Sequence, residues 1–303
     1  MVIEGRDDRA DKLLPSPRTL PVVVAHLGET FGGDTVNGES VDLGVDLVVD
    51  REHLALLVER VTDNPFAATS LVGLLRQTAH LPVEHGLVAE SAVYSMLQGS
   101  AEFARWRGTD EPRSGDEPRP VVDVARHAAQ LVITLDRPHR HNAITRQLRD
   151  ELCAALRIAI TDDSIASVSL VGRGPSFCSG GDLAEFGIRP DPAVAHRTRV
   201  AQSPALLIHD LRDRITAHIH GATLGGGIEI ASFAGRLVAD PDTRIGLPEV
   251  ALGLIPGAGG TVGITHRIGR HRTAALALAT DTINAGTALA WGLVDAVEAV
   301  DPT

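Results

Sequence analysis

The spacing of apolar residues changes character once along the chain, across the stretch RGTDEPRSGDEPRP, Arg107 to Pro120. Before it the period is helical. Leu54, Leu57, Val58 and Val61 fall at i, i+3, i+4 and i+7, which predicts one buried face of a helix. Asn64 followed by Pro65 has the form of an N-cap and a first-turn proline, and predicts a second helix running to about Gln77. A third is expected from near Val83 to Leu97, with Leu87 and Tyr94 on one face. Residues 1–43 show little periodicity and are expected to be a poorly ordered segment, ahead of a helical region over residues 44–106. Residues 107–120 are almost free of apolar side chains and rich in Pro, Gly and charge, so they read as an exposed linker.

After the linker, over residues 121–303, strand and helix signals alternate. QLVITLD predicts a strand, and NAITRQLRDELCAALRIAI an amphipathic helix with Ile144, Leu148, Leu152 and Leu156 at every fourth position. SVSLVGRG, RITAHIHG and RLVAD read as further strands, and two of them open onto Gly-rich turns followed by helical runs. Strand, glycine turn and helix in repetition is the pattern of a layered α/β domain with a substantially parallel sheet.

Composition narrows the class. The chain has 303 residues, 44% of them hydrophobic, enough for a sizeable core. Its formal net charge of −11, with no basic block to offset it, argues against an electrostatic nucleic-acid binder. Cys153 and Cys178 form neither a disulfide framework nor a metal-ligand spacing, so a reducing, cytoplasmic setting is expected. The start, MVIEGRDDRADK, carries no apolar signal core, and no run reaches membrane-spanning length. His218 and His220 alternate on a predicted strand and point the same way, but no third ligand has suitable spacing, so they read as structural or pocket-lining and no metal is expected.

The chemistry concentrates in LGGGIEIASFAG, Leu224 to Gly235. Three glycines precede what looks like the first turn of a helix, where backbone N–H groups lack partners and a ligand oxygen can approach without meeting a Cβ. Glu229 follows Gly226 by three residues, about 4.5–5 Å along a helix. An amide donor beside a carboxylate suits a reaction in which a carbonyl oxygen gains negative charge while a proton moves at a neighbouring carbon. A second Gly-rich turn, GPSFCSGGDLAEF, offers a second donor. Twenty residues beyond Glu229, in TRIGLPEVALGLIPGAGG, stands Glu249, so that two glutamates from different elements can face one cavity. Taken singly, a glycine run is more often a tight packing contact, and a lone Glu in a first turn is more often a cap.

Together these motifs resemble the crotonase (enoyl-CoA hydratase/isomerase) superfamily. LDRPHRHNAI, FCSGGDLAEF, HIHGATLGGGIEIA, IGLPEVALGLIPGAGGT and INAGTALAWGLVD appear in consecutive order between about Val121 and Val297. The resemblance implies a crotonase-like spiral of β-β-α units and an acyl-CoA thioester as substrate. Its carbonyl would be held by the amides of Gly181 and Gly226, with Glu229 and Glu249 as the acid/base pair. It also implies CoA contacts along His139, Arg140, His141 and Ala143, and along Ser179, Gly181, Asp182 and Leu183. A homotrimer or dimer of trimers follows from the same likeness, with no cofactor beyond the CoA of the substrate. Holding both glutamates favours hydration of a trans-2-enoyl-CoA. A double-bond isomerase, a dioxygenase-like CoA-thioester enzyme and a non-catalytic partner subunit are the competing readings. Which glutamate donates and which accepts is left open.

Two departures stand out. Members of the family usually continue past GLVD for several dozen residues, whereas this sequence ends at Thr303 and carries a helical region at its front. One expectation joins the two: a circular permutation, in which residues 44–106 are the family's closing helices and residues 107–120 the new joint. Phe103, with Arg105 or Arg107, would then close over the CoA adenine and phosphate. The other expectation is an unrelated helical appendage used in assembly. The stretch DPAVAHRTRVAQS, within the segment Ala184 to Leu211 that would set pocket depth, is expected to be a flexible lid.

Overall fold

The computed structural model describes residues 45–301 apart from 110, 112, 189 and 190, and before them residues 2–4, 23–28, 31–32, 35–36 and 39–40. Five short strands come first: β1 (Val2–Glu4), β2 (Val23–Leu27), β3 (Thr35–Val36), β4 (Glu39–Ser40) and β5 (Leu47–Val49). Strands β1, β2 and β5 form a parallel three-stranded sheet, with Val23, Ala25 and Leu47 in the core. That part of the segment expected to be poorly ordered is therefore built into the protein. VVAH is too short for a period to show, and its pairing with β5 supplies the order. The rest of residues 1–43 lies outside the described residues.

Four helices follow: α1 (Arg51–Asp63), α2 (Pro65–Thr78), α3 (Val83–Gln98) and α4 (Ala101–Arg107). Asp50 caps α1 by accepting from His53 N at 3.0 Å. Leu57 and Val61 are buried as the periodicity predicts, but Val58 is 44% exposed, because α1 turns its Leu57, Arg60 and Val61 side inward. Asn64 precedes α2 without making a side-chain cap bond. The cap comes instead from Glu102 of α4, whose carboxylate accepts from Phe66 N and Ala67 N at 2.8 and 2.9 Å.

The remainder is the strand-helix alternation expected: β6 (Val122–His127), β7 (Gln130–Leu135), α5 (Arg146–Thr161), β8 (Ser167–Gly172), α6 (Pro192–Ala201), α7 (Pro204–Asp210), β9 (Ile215–Ile219), β10 (Ala222–Leu224), α8 (Gly226–Ala231), β11 (Arg236–Ala239), β12 (Arg244–Gly246), α9 (Gly260–Leu278), β13 (Ile283–Asn284), α10 (Ala285–Trp291) and β14 (Ala296–Val297). The main sheet has the order β14-β11-β9-β8-β7-β6 and is parallel except for the β6–β7 hairpin. A second sheet, β10-β12-β13, lies beside it. Successive turns of the chain place one strand in each sheet and then a helix. Thus β9 and β10 lead into α8, and β11 and β12 lead through a short 3-10 turn (Glu249–Leu252) to α9. This is the β-β-α spiral. Alternate residues Ile215, Ala217 and Ile219 of β9 face the core, while Leu148, Leu152 and Leu156 bury the predicted face of α5.

Helices α1–α4 are bonded to this spiral at several points. Arg60 donates to the carbonyls of Ala277 and Thr280 at the end of α9, at 3.1 and 2.8 Å. Thr78 Oγ1 donates to Thr261 O at 2.9 Å at the beginning of the same helix. The predicted linker divides in two. Arg107 closes α4, whereas residues 113–120 form a strap tied along the core: Arg113 N donates to Ala184 O at 2.8 Å, and Glu117 accepts from Arg137 Nε at 2.7 Å. The predicted lid contains α6, packed on α3, with His196 Nδ1 2.9 Å from Ser91 Oγ.

Candidate active site

Between β10 and α8 the chain must turn sharply. Gly225 does so with φ +45, a conformation that L side chains rarely adopt. A Cβ at Gly225 would also overlap the Glu249 carboxylate, and one at Gly227 would overlap the carbonyl of Cys178. The glycine run thus lets the Glu249 side chain and the neighbouring Gly-rich turn press against the backbone. That turn is held in register by Cys178, which pairs with Thr223, and by Ile144, which bonds to both sides of Gly181. Ile144 N donates to Gly180 O at 2.7 Å, and Asp182 N donates to Ile144 O at 2.9 Å. Gly181 N lies 3.7 Å from where a Cβ on Gly226 would stand, so the two amides adjoin. Neither donates a hydrogen bond among the described residues. The Cys178 thiol, pushed up to about 12 by burial, is a packing group.

Two carboxylates converge on these amides. Glu229, on α8, is 2% exposed, and its Oε2 accepts from Ala258 N at 2.7 Å and Gly260 N at 2.9 Å. Burial raises its pKa to about 7, against the pull of the Gly260, Ala258 and Gly257 amides. Glu249, first residue of its 3-10 turn, is buried, and its Oε2 makes no hydrogen bond. Burial, and then the charge of Glu229, hold its carboxyl well above the ordinary range. One free carboxylate oxygen facing a second carboxylate that is raised to near neutrality makes a pair able to divide acid and base roles.

Gly181, Gly226, Glu229 and Glu249 line one cavity of about 230 Å³, which Tyr94 and Gln98 of α3 line as well. A neighbouring cavity of about 220 Å³ shares Ile144, Arg149, Arg199, Gly257 and Ala258 with it and is walled mainly by apolar side chains such as Leu87, Leu206 and Ile230. Arg199 sits where the two meet, over the Tyr94 ring at 4.5 Å, and donates to Ser91 and Ser95 of α3.

Of the other predicted contacts, Asp182 reaches the first cavity and also pairs with Arg137 at 2.9 Å. His139, Arg140, His141, Ala143, Ser179 and Leu183 do not line it. They lie along the adjoining turns, where His139 Nε2 is 3.3 Å from Glu117 of the strap and His141 Nδ1 is 2.9 Å from Ser176 Oγ. Ser179 N donates to His141 O at 2.9 Å, which joins the two turns, and Leu183 is exposed beyond Asp182. Phe103 is a correction. It is 4% exposed, packed against Gly253 and stacked on Trp106, so its ring belongs to the core and offers no face to an adenine. The groups of α4 that approach the cavity wall are Trp106, 6.0 Å from the ring of Phe186, and Arg107, which donates to Phe186 O at 3.1 Å. His220 proves structural, its Nε2 2.8 Å from the carbonyl of Gly174. Sequence reading missed Tyr94, Phe186 and Arg199 because nothing local marks them. It also missed Glu90, which carried the signal that singled out Glu229, a lone carboxylate in an apolar run.

A spiral of β-β-α turns with paired amides and paired glutamates at one cavity defines a class of acyl-thioester enzymes. The family model described as Enoyl-CoA hydratase/isomerase matches residues 125–302, and the chain belongs to that family. Among curated relatives, the 2,3-dehydroadipyl-CoA hydratase of Escherichia coli (strain K12) is 34% identical over 59% of this chain and 70% of its own. The probable enoyl-CoA hydratase, mitochondrial, of Dictyostelium discoideum is 32% identical over 56% of this chain and 61% of its own. Among solved structures, enoyl-CoA hydratase from Thermoplasma volcanium GSS1 aligns with a TM-score of 0.54 and 32% identity, over 59% of this chain and 72% of that one. The enoyl-CoA hydratase from Bacillus anthracis aligns with a TM-score of 0.55 and 30% identity, over 59% and 70%. Each match leaves about 30 to 40% of the relative's own length outside it. Among the described residues, no helix is long and apolar enough to cross a membrane.

Proposed function

We propose that the chain is an enoyl-CoA hydratase, adding water reversibly across the double bond of a trans-2-enoyl-CoA to give a 3-hydroxyacyl-CoA. The observation that carries this reading is the meeting of four groups at one cavity: the unengaged amides of Gly181 and Gly226 and the buried carboxyls of Glu229 and Glu249. The thioester oxygen accepts from the two amides. One glutamate, ionised, takes a proton from water as its oxygen bonds to C3, and the electron pair of the double bond moves onto C2 and the thioester oxygen. The enolate so formed is held by the amides, and the other glutamate, protonated, delivers its proton to C2. Atoms and charge balance without a metal or redox cofactor. The apolar cavity beside the site is suited to the acyl chain, and the turns bearing His139 to Ala143 and Ser179 to Leu183 are suited to the CoA.

The fit of residues 51–107 to this site supports reading them as the family's closing helices attached at the front, by circular permutation. They supply one wall of the cavity, and the matched relatives extend beyond the matched core by about the share that such helices would take.

The deciding measurement is loss of 2-enoyl-CoA absorbance against conversion of a 3-enoyl-CoA. Turnover of the first is expected; turnover of the second alone would make the chain an isomerase. Glu249→Gln should abolish hydration, with a loss of about 10²–10⁴-fold, while binding of an acyl-CoA analogue persists. Unchanged turnover in that variant would remove Glu249 from the mechanism.

A further inference from the structure

Where the chain enters α9, the segment Ala258–Thr261 runs between two buried carboxylates, Glu90 of α3 and Glu229 of α8. Its amides alternate between them. Ala258 N donates to Glu229 at 2.7 Å, Gly259 N to Glu90 at 2.7 Å, Gly260 N to Glu229 at 2.9 Å and Thr261 N to Glu90 at 2.9 Å. Thr261 Oγ1 adds a third bond to Glu90, at 2.7 Å. Both oxygens of Glu90 are engaged: Oε1 with Gly259 and Oε2 with the two donors of Thr261. Glu90 stands on α3 and is 1% exposed.

A carboxyl placed there is expensive. Burial and the charge of Glu229 push Glu90 up to about 8, against the pull of its three donors. An apolar residue would pack α3 against α9 without that cost. What it would not do is hold the strip of amides from the side opposite Glu229. Glu229 has one oxygen fixed by Ala258 and Gly260, and the amides of Gly259 and Thr261, which interleave with these two, are held by Glu90. A shift of this strip moves the Glu229 carboxyl relative to Gly181 and Gly226.

We propose that Glu90 is a positioning residue for the reaction: from the helical layer it clamps the amides of Gly259 and Thr261, and through the shared strip it sets the orientation of the Glu229 carboxyl. The proposal rests on the hydratase reading given above. It makes the helical layer part of the catalytic geometry as well as the cavity wall.

The test is steady-state kinetics of the full chain with a trans-2-enoyl-CoA, alongside calorimetric titration of an acyl-CoA analogue and thermal melting. Glu90→Gln keeps the shape but turns an NH2 donor toward Gly259 N or Thr261, and the assay is run above pH 8, where the wild-type carboxylate accepts through both oxygens. The substitution should lower kcat by about 10- to 100-fold, a larger factor than any change in KM or analogue affinity that arises because Glu90 also lines the apolar cavity. Thr261→Val, which removes only the hydroxyl bond, should lower kcat by a smaller factor with KM unchanged. A kcat equal to wild type in a folded Glu90→Gln, or a melting temperature that falls while kcat holds, would reduce Glu90 to a packing contact and overturn the proposal. If Glu90→Gln does not fold, Thr261→Val decides: wild-type kcat overturns the proposal, and a reduced kcat at constant KM sustains it. A wild-type chain inert toward every 2-enoyl-CoA defeats the functional reading itself, and the proposal falls with it, so the two failures are told apart by the wild-type control.

Discussion

The helical layer, residues 51–107, and the spiral core, residues 121–301, both bury polar groups, but they spend them differently. In the layer, Arg60 and Thr78 donate to carbonyls of α9 and the turn after it, Glu90 and Glu102 accept from amides at the starts of α9 and α2, and two side-chain bonds, Arg60 to Asp281 and Thr261 to Glu90, add to these. In the core, the amides of Gly181 and Gly226 and the Oε2 of Glu249 have no partner among the described residues. Buried groups without partners carry a free-energy cost that a fold selected for stability alone would remove. Gly226, the half-buried Gly181 and Glu249 cluster at the cavity that the proposed function gives to the substrate, whereas the other buried polar atom without a partner among the described residues, His220 Nδ1, does not line it. The layer's satisfied groups mark what holds that cavity in shape. Reactivity and rigidity have been divided between two regions.

The sharpest way to break this division is to disturb the core without touching a reactive atom. Gly225→Ala adds one methyl where the Glu249 carboxylate presses on the backbone, at φ +45. Glu249 must move, and the turn holding the Gly226 amide must move with it. A fall in kcat/KM of about 10²-fold is expected, the scale of losing one oxyanion donor. A melting temperature that drops while kcat/KM stays at wild type would show that the glycine serves the turn alone.

A smaller effect concerns pH. Glu229 and Glu90 are raised to about 7 and about 8 from the ordinary glutamate value of 4.5, so between pH 4.5 and 8 the folded chain holds protons that the unfolded chain has released. Stability from these groups is therefore complete below about 4.5 and is lost as pH rises through 7 and 8. The melting temperature should be lower at pH 9 than at pH 6, and Glu229→Gln, which cannot ionise, should narrow that gap while abolishing turnover. A gap as wide in the variant as in the wild type would mean that Glu229 does not titrate in this range. The same raised value puts the acid limb of kcat/KM near pH 7 wherever Glu229 acts as base.

How far the sequence reaches differs between the regions for the same reason. In the core, function is written locally. Glycine runs stand where a side chain or a neighbouring turn presses on the backbone, and Glu229 and Glu249 each follow a turn signal, so the strand–helix alternation and the meeting of these glutamates with Gly181 and Gly226 at one cavity were legible, the spiral itself through the family resemblance. In the layer, helices α1–α3 were legible from their period, but their roles depend on which element they face. Val58 satisfies the same spacing as Leu57 and is exposed, Phe103 looks like a free aromatic and is core, and Asn64 looks like a cap whose work is done by Glu102. None of these is decidable before α9 and α4 are in place. Glu90 is the exception: a lone acid inside LVAESAVY carried a readable signal.

The mildest perturbation bears on how the layer is attached. A bond network that joins layer to core at both ends of α9 does not depend on whether the layer precedes or follows the core in the chain. The strap over residues 113–120 makes its own contacts, with Arg137, Gln147 and Ala184, so it need not carry the connection. A rearranged chain can therefore begin at Thr109 and join Thr303 to Met1 through a flexible Gly/Ser linker, preserving every contact described here. Trp291 of α10 packs on Phe31, so the front segment already contacts the last helix of the core. Loop-closure entropy changes only logarithmically with linker length, so a cost of about 1 kcal/mol is expected. Turnover should stay within a few-fold of wild type, and melting should shift by only a few degrees. A rearranged chain that folds but loses activity would place a catalytic demand on residues 107–109 themselves. One that fails to fold would make the present order essential to the layer, and the reading of residues 51–107 as transposed closing helices would have to be given up.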